Sequence, residues 1–197
     1  MKQLRLIALL LCLFSLAACS QKEGGKETPT ATGLHHVEIT VQDYGVISVE
    51  LDGDNAPITV GNFLALAKDG FYDGLTFHRI ITGFMIQGGD PNKNGTGGSE
   101  TAIKGEFPDN GVDNPLLHAR GAISMARRQG DMNSATSQFF ICQADAHELD
   151  GQYAVFGHVT DGMAIVDQIC EKTPVLDNNG TVAAESQPVI TSITVID

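Results

Sequence analysis

Two short segments concentrate the side chains that could do chemistry. In residues 77–90 (FHRIITGFMIQGGD), the guanidinium of Arg79 and the amide of Gln87 sit among Phe77, Ile80, Ile81, Phe84, Met85 and Ile86. In residues 134–141 (SATSQFFI), Gln138 stands directly before Phe139 and Phe140. Brought into one apolar cleft, Gln87 and Gln138 would offer amide hydrogen bonds to a peptide backbone while Phe84, Met85 and Phe140 hold an apolar ring. Arg79 is the anomaly, a cation in apolar company. Taken by itself it also reads as a snorkelling or salt-bridged structural residue, and His78 as a satisfied structural histidine. With Phe77 toward the core, period-two alternation predicts Arg79 and Ile81 on its face and His78 and Ile80 on the other.

These segments need a scaffold, and the patterning predicts a mainly β one. Val37, Ile39 and Val41 alternate with polar neighbours and residues 46–51 do so again across Asp43-Tyr44-Gly45, which reads as a hairpin. Further strand-like runs fall at 76–81, 84–87, 122–126, 138–142, 155–159 and 189–196. Thr59 can cap a helix whose Val60, Phe63, Leu64 and Ala67 share a face and which Gly70 closes, and a second helix is expected over about 162–170. Six to eight short strands with two helices argue against a βαβ array. A closed or nearly closed antiparallel barrel best avoids loose edges. Gly88-Gly89 and Gly95, Gly97 and Gly98 punctuate a polar loop suited to a cleft rim.

The chain has 197 residues and a formal net charge of -12, with 42% apolar residues and no tryptophan. Apart from Arg127-Arg128 its basic residues come singly, so the charge argues against nucleic-acid binding. The apolar residues are concentrated at the start, where the basic stretch 1–5, the apolar run 6–16 and Leu16-Ala17-Ala18-Cys19 make a secretory signal over residues 1–18. That tetrad resembles the bacterial lipobox, which implies cleavage before Cys19 and its lipidation by a diacylglyceryl group, usually with a further acyl chain such as palmitate. Residues 19–33 then read as lipidated Cys19 and a flexible linker, and 34–197 as one domain. An exported protein anchored to a bacterial membrane is the expected product, the leaflet being unassigned. Cys142 and Cys170 look like small core residues, and no metal-ligand spacing occurs, so neither a metal nor a cofactor is expected.

The two chemical segments, together with NGTGG, ISMAR, SQFFIC, LDG and VFGHV in this order, resemble the cyclophilin-type peptidyl-prolyl cis-trans isomerases. The likeness extends over nearly all of residues 34–197. It implies a closed eight-stranded antiparallel β-barrel capped by two α-helices. It also implies Arg79 as the catalytic guanidinium and Gln87 as a backbone-binding amide beside it. Phe84, Met85, Phe140 and Leu149 become walls of a proline pocket, Gln138 a polar contact, and Ala126 with Arg127 the strand that pairs with substrate. The expected partners are proline-containing polypeptides, unfolded or folding, and the expected state is a monomer.

Two positions depart from the family pattern. Glu148 stands where many members carry a pocket-edge tryptophan, which argues against tight binding of cyclosporin-like peptides, and Tyr153 replaces a common histidine while still able to pack on a proline ring. The loop after Arg127-Arg128 is longer than in compact eukaryotic members. A non-catalytic proline-peptide-binding or chaperone-like module is the alternative on the same fold. A Ser-His-Asp hydrolase is disfavoured because Ser124, Ser134 and Ser137 lie in no G-x-S-x-G context.

Overall fold

The expected hairpin is present in the computed structural model, which describes residues 28–197. Strands β1 (Leu34–Val41) and β2 (Gly45–Asp52) pair antiparallel with Ile39 opposite Ile47 and Val37 opposite Val49. Every second residue is apolar, and all of Val37, Ile39, Val41, Ile47, Val49 and Leu51 are buried. Helix α1 (Pro57–Lys68) follows, then β3 (Phe77–Ile81), β4 (Met85–Gly88), β5 (Ala122–Met125), β6 (Phe139–Cys142), β7 (Val155–Asp161), helix α2 (Met163–Lys172) and β8 (Ile190–Val195).

The eight strands form one antiparallel sheet in the order β3-β4-β6-β5-β7-β2-β1-β8. This order has two ends, which corrects the expected closed barrel: the sheet is an open, strongly curled half-barrel with two helices packed on it. β3 and β8 form no ladder with each other. The single bridge between Thr76 and Val189 joins their approaches, and the irregular run 175–189 fills the space beside β3. The cost of free edges argues for closure, but here irregular backbone takes up part of the β3 edge and the start of β8 instead.

Alternation sorts the middle strands into two apolar faces. Ile86, Ile123, Phe139 and Ile141 point into the main core, where Phe63 packs edge-on against Phe139 at 5.5 Å and tilted against Phe156 at 5.2 Å. Their neighbours Met85, Ala122, Phe140 and Cys142 form a second cluster on the opposite face. The outer face carries the site.

Two local features were not foreseen. Thr59 does not cap α1: Pro57 occupies its first turn, and the carboxylate of Glu106 accepts from Ile58 N at 3.0 Å, Thr59 N at 2.7 Å and Thr59 Oγ1 at 2.6 Å. A buried anion at a helix N-terminus satisfies donors that have no partner inside the helix. The other feature lies at residues 29–33, read above as linker. They run along α1, with Ala31 N donating to Pro57 O at 3.0 Å and Gly53 N to Gly33 O at 2.8 Å. Any Cβ on Gly61 would collide with the Pro29 carbonyl, so glycine is what lets this strap lie flat. The signal, Cys19 and residues 20–27 lie outside the described residues. Among the described residues no helix is long and apolar enough to cross a membrane.

Candidate active site

A single row of cross-strand partners builds the centre of the site. Arg79 on β3 pairs with Gln87 on β4, Gln87 with Phe140 on β6, and Phe140 with Ser124 on β5. The turn at Thr82 and Gly83 folds β3 onto β4, so residues eight apart in sequence become direct neighbours. The register shifts between Phe77 and Arg79, and this bulge overturns the predicted alternation. Phe77 and Ile80 enter the core, whereas Arg79 and Ile81 turn to the outer face.

Arg79 is held by neutral acceptors. Its Nε donates to the Asn179 carbonyl at 2.8 Å, Nη1 to Gln87 Oε1 at 3.1 Å and Nη2 to Asn179 Oδ1 at 3.3 Å. Those bonds engage three of the five N–H groups of a guanidinium and leave two. Among the described residues it joins no salt bridge. Burial lowers its pKa, opposed by Tyr153 and the carboxylate of Asp177, but a guanidinium stays charged throughout the range of protein chemistry. The Asn179 loop comes so close because Gly180, at φ +80°, has no Cβ to strike the Ile80 carbonyl, which accepts no side chain in that space.

Beside the guanidinium lies a hollow of about 240 Å³. All the pocket residues expected from sequence line it except Gln138: Arg79, Phe84, Met85, Gln87, Ala126, Arg127, Phe140, Leu149 and Tyr153. Phe140 meets Tyr153 edge-on at 6.0 Å, which makes one corner of the wall. The side chain of Arg127 braces that corner. Its guanidinium lies 4.7 Å from the Tyr153 ring centre while Nε donates to the Gln152 carbonyl at 3.0 Å. Glu148 is exposed in the single turn His147–Leu149 and does not line the hollow.

Gln138 lines a second hollow of about 560 Å³ that shares Gln87, Ala126 and Arg127 with the first. The two hollows adjoin at these three residues. Ala126 N donates to the Gln138 carbonyl at 2.9 Å, and the Gln138 amide donates to Gly97 O at 2.7 Å and Gly95 O at 3.2 Å. The glycine-rich loop is therefore the rim expected from sequence, wrapped around buried Asp90, whose carboxylate accepts from the backbone of Asn92, Asn94 and Gly95. Sequence reasoning missed Asn179, which no local pattern marks. Among the described residues no group of three or more His, Cys, Asp or Glu could hold a metal ion.

Residues 36–195 match the family model described as cyclophilin type peptidyl-prolyl cis-trans isomerase. The chain belongs to this family. A peptidyl-prolyl cis-trans isomerase of Helicobacter pylori is 47% identical over 127 residues, which are 64% of this chain and 75% of that one. Peptidyl-prolyl cis-trans isomerase B of Bacillus subtilis is 47% identical over 123 residues, 62% of this chain and 82% of that one. A Cryptosporidium parvum cyclophilin crystallised in the presence of the dipeptide Ala-Pro superposes with a TM-score of 0.72 at 32% identity, covering 82% of this chain and 99% of that one. This cyclophilin is thus an enzyme that isomerises X-Pro bonds.

Proposed function

We propose that Arg79 and Gln87 are the catalytic residues of this isomerase and that the smaller hollow receives the proline ring of an exported polypeptide. Rotation about an X-Pro bond passes through a twisted state in which C–N double-bond character is lost, over a barrier of about 20 kcal/mol. As conjugation fades, the proline nitrogen becomes pyramidal and accepts a hydrogen bond. A guanidinium with two N–H groups to spare and, among the described residues, no salt bridge can supply it, and supplies it better in the twisted state than in either planar one. Phe84, Met85, Phe140, Leu149 and Tyr153 grip the ring, while Gln87, Gln138 and the backbone of Ala126 and Arg127 hold the flanking peptide as the acyl side turns. No bond is made or broken, so neither nucleophile nor cofactor has a step to perform.

The observation that carries this reading is that Arg79, which joins no salt bridge among the described residues, lines the same hollow as Phe84, Met85, Phe140 and Leu149. Arg79→Ala is expected to lower kcat/KM on an Ala-Pro tetrapeptide by about a hundredfold or more, on the scale of removing one oriented donor from a transition state. Wild-type turnover in that variant would refute the assignment.

The substrates and location follow from the N-terminal sequence. A lipid on Cys19 would anchor a monomeric enzyme to a bacterial membrane and confine it to proline-containing polypeptides that are folding after export. Cys19→Ser is expected to move the protein from the membrane to the soluble fraction and to abolish the mass added at that residue. Retention on the membrane with no added mass would rule the anchor out.

A further inference from the structure

Directly behind the proline pocket lies an Asp-His-Ser chain, its histidine and serine fully buried and its aspartate half-buried, that the isomerisation just described does not use. His118 is fully buried, and its Nδ1 lies 2.9 Å from Asp150 Oδ1 while its Nε2 lies 3.1 Å from Ser124 Oγ. Asp150 Oδ1 also accepts from the His118 backbone N at 2.7 Å, and the second oxygen, Oδ2, meets Nδ1 of exposed His147 at 2.9 Å. In outline this is a hydrolase triad. It cannot act as one, because Ser124 is fully buried with no path to a substrate.

The position of the chain suggests another use. The His118 ring stacks on Phe140 with centres 5.8 Å apart and planes within 11°, and meets Tyr153 edge-on at 6.4 Å. Ser124 is the cross-strand partner of Phe140 on β5. Leu149, another pocket wall, immediately precedes Asp150. The chain therefore touches three of the pocket's walls from behind.

We propose that His118 is a positioning residue of the proline pocket, locked by Asp150 as the Nδ1–H tautomer with the Ser124 hydroxyl donating to Nε2, so that its ring plane sets that of Phe140. The tautomer follows from the partners. Burial tends to raise the Asp150 pKa, but hydrogen bonds from the His118 backbone, the His118 ring and His147 outweigh it and hold the carboxyl below its ordinary value. An ionised carboxylate only accepts, so Nδ1 carries the proton. Burial lowers the His118 pKa despite Asp150, so the ring is neutral and Nε2 is an acceptor. His147 holds the carboxylate from the solvent side and keeps it from swinging away. Because the pocket grips the ring equally in planar and twisted states, a misplaced Phe140 weakens binding uniformly and appears in KM.

The inference rests on the reading of the smaller hollow as the proline pocket, and the test separates the two. kcat and KM on an Ala-Pro tetrapeptide and the imidazole ¹⁵N shifts of His118 are measured for the full chain, Asp150→Ala, Asp150→Asn and Arg79→Ala. Asp150→Ala is expected to shift His118 to the Nε2–H tautomer and raise KM about fivefold to tenfold, the worth of one aromatic contact, with kcat within about twofold. Asp150→Asn, whose amide oxygen still accepts from Nδ1–H, is expected to keep the wild-type tautomer and a KM within about twofold of wild type. An unchanged KM or tautomer in Asp150→Ala overturns the proposal, as does an Asn variant impaired like the Ala one. Should Asp150→Ala fail to fold, Ser124→Ala frees Nε2 alone and must shift its ¹⁵N signal and raise KM. Arg79→Ala acts on kcat; wild-type kcat there sinks the assignment of the site itself, whatever Asp150 does.

Discussion

Gln87 donates its side-chain amide to Gln138 Oε1 at 2.9 Å, so the end of Gln87 that faces Arg79 is its oxygen. The orientation is inherited along a line of hydrogen bonds. Two carbonyls, of Gly95 and Gly97, take the Gln138 amide, which leaves the Gln138 oxygen to Gln87 and the Gln87 oxygen to the guanidinium. Gln138→Leu would free Gln87 to turn its donor end toward Arg79. The expected loss is about tenfold in kcat/KM, the scale of one hydrogen bond to a charged group. A protease-coupled assay with an X-Pro peptide measures it, and full activity would show that Gln87 needs no such guide.

Gly180 controls the other side of Arg79. Its φ of +80° and the nearby Ile80 carbonyl leave no room for a Cβ, so Gly180→Ala is expected to push the loop, and with it Asn179, off the guanidinium. We expect kcat to fall about tenfold, again the scale of a charged hydrogen bond. Asn179→Ala, which keeps the backbone acceptor for Nε, should cost less. Equal effects in the two variants would contradict this ordering.

Acid should destabilise the fold before its carboxylates are protonated. Burial lowers the pKa of both His78 and His118; at His78 the Asp90 charge opposes that shift and Arg79 adds to it. Unfolded histidine titrates near 6.5, so below about that pH the unfolded chain binds protons that the folded chain refuses. Stability is therefore complete above about pH 6.5 and falls as pH drops from there through the depressed folded values. Among the described residues neither ring nitrogen of His78 has a hydrogen-bond partner, which corrects the satisfied histidine expected from sequence, so His78→Phe should flatten this part of the profile without leaving a donor stranded. Thermal melts at pH 7.5 and 5.5 test it, and an equally steep profile in the variant would place the linkage elsewhere.

Cys142 and Cys170 are free thiols that burial pushes up to about 12. The thiolate is the reactive form, so neither should react with iodoacetamide at pH 7.5 in the folded protein, and both should after denaturation. Rapid native labelling of either residue, read by mass spectrometry, would contradict the burial described.

How much could be read in advance depended on range. Arg79 and Gln87 flank a tight turn, and the residues on either side read as two separate strand-like runs, while the pairing that makes the two side chains neighbours is shown by the fold. Gln138 stood out beside two phenylalanines. By contrast, the acceptor for Arg79 Nε lies 100 positions away in an irregular loop, the cap of α1 comes from Glu106 some 47 positions on, and His118 finds Asp150 across 32. Such partners are chosen by the folded backbone and leave no periodicity behind. The bulge before Arg79 was hidden for a related reason, since one displaced residue inverts every alternation after it. The strap at 29–33 carries the composition of a linker because it adheres through backbone groups, to which composition is blind.

The open sheet order has a consequence for life in a crowded compartment. An unfinished sheet ordinarily invites strangers, since each terminal strand displays donors and acceptors that another chain can adopt. Here β3 is occupied from outside by its own chain, with Val182 N donating to the His78 carbonyl and Ile80 N to the Gly180 carbonyl, while Ile190 of β8 exchanges bonds with Gly74 and Leu75. The β3 end of the sheet thus has backbone groups already taken by its own chain, and β8 is tied down where it begins, so fewer of them remain for a stranger to adopt.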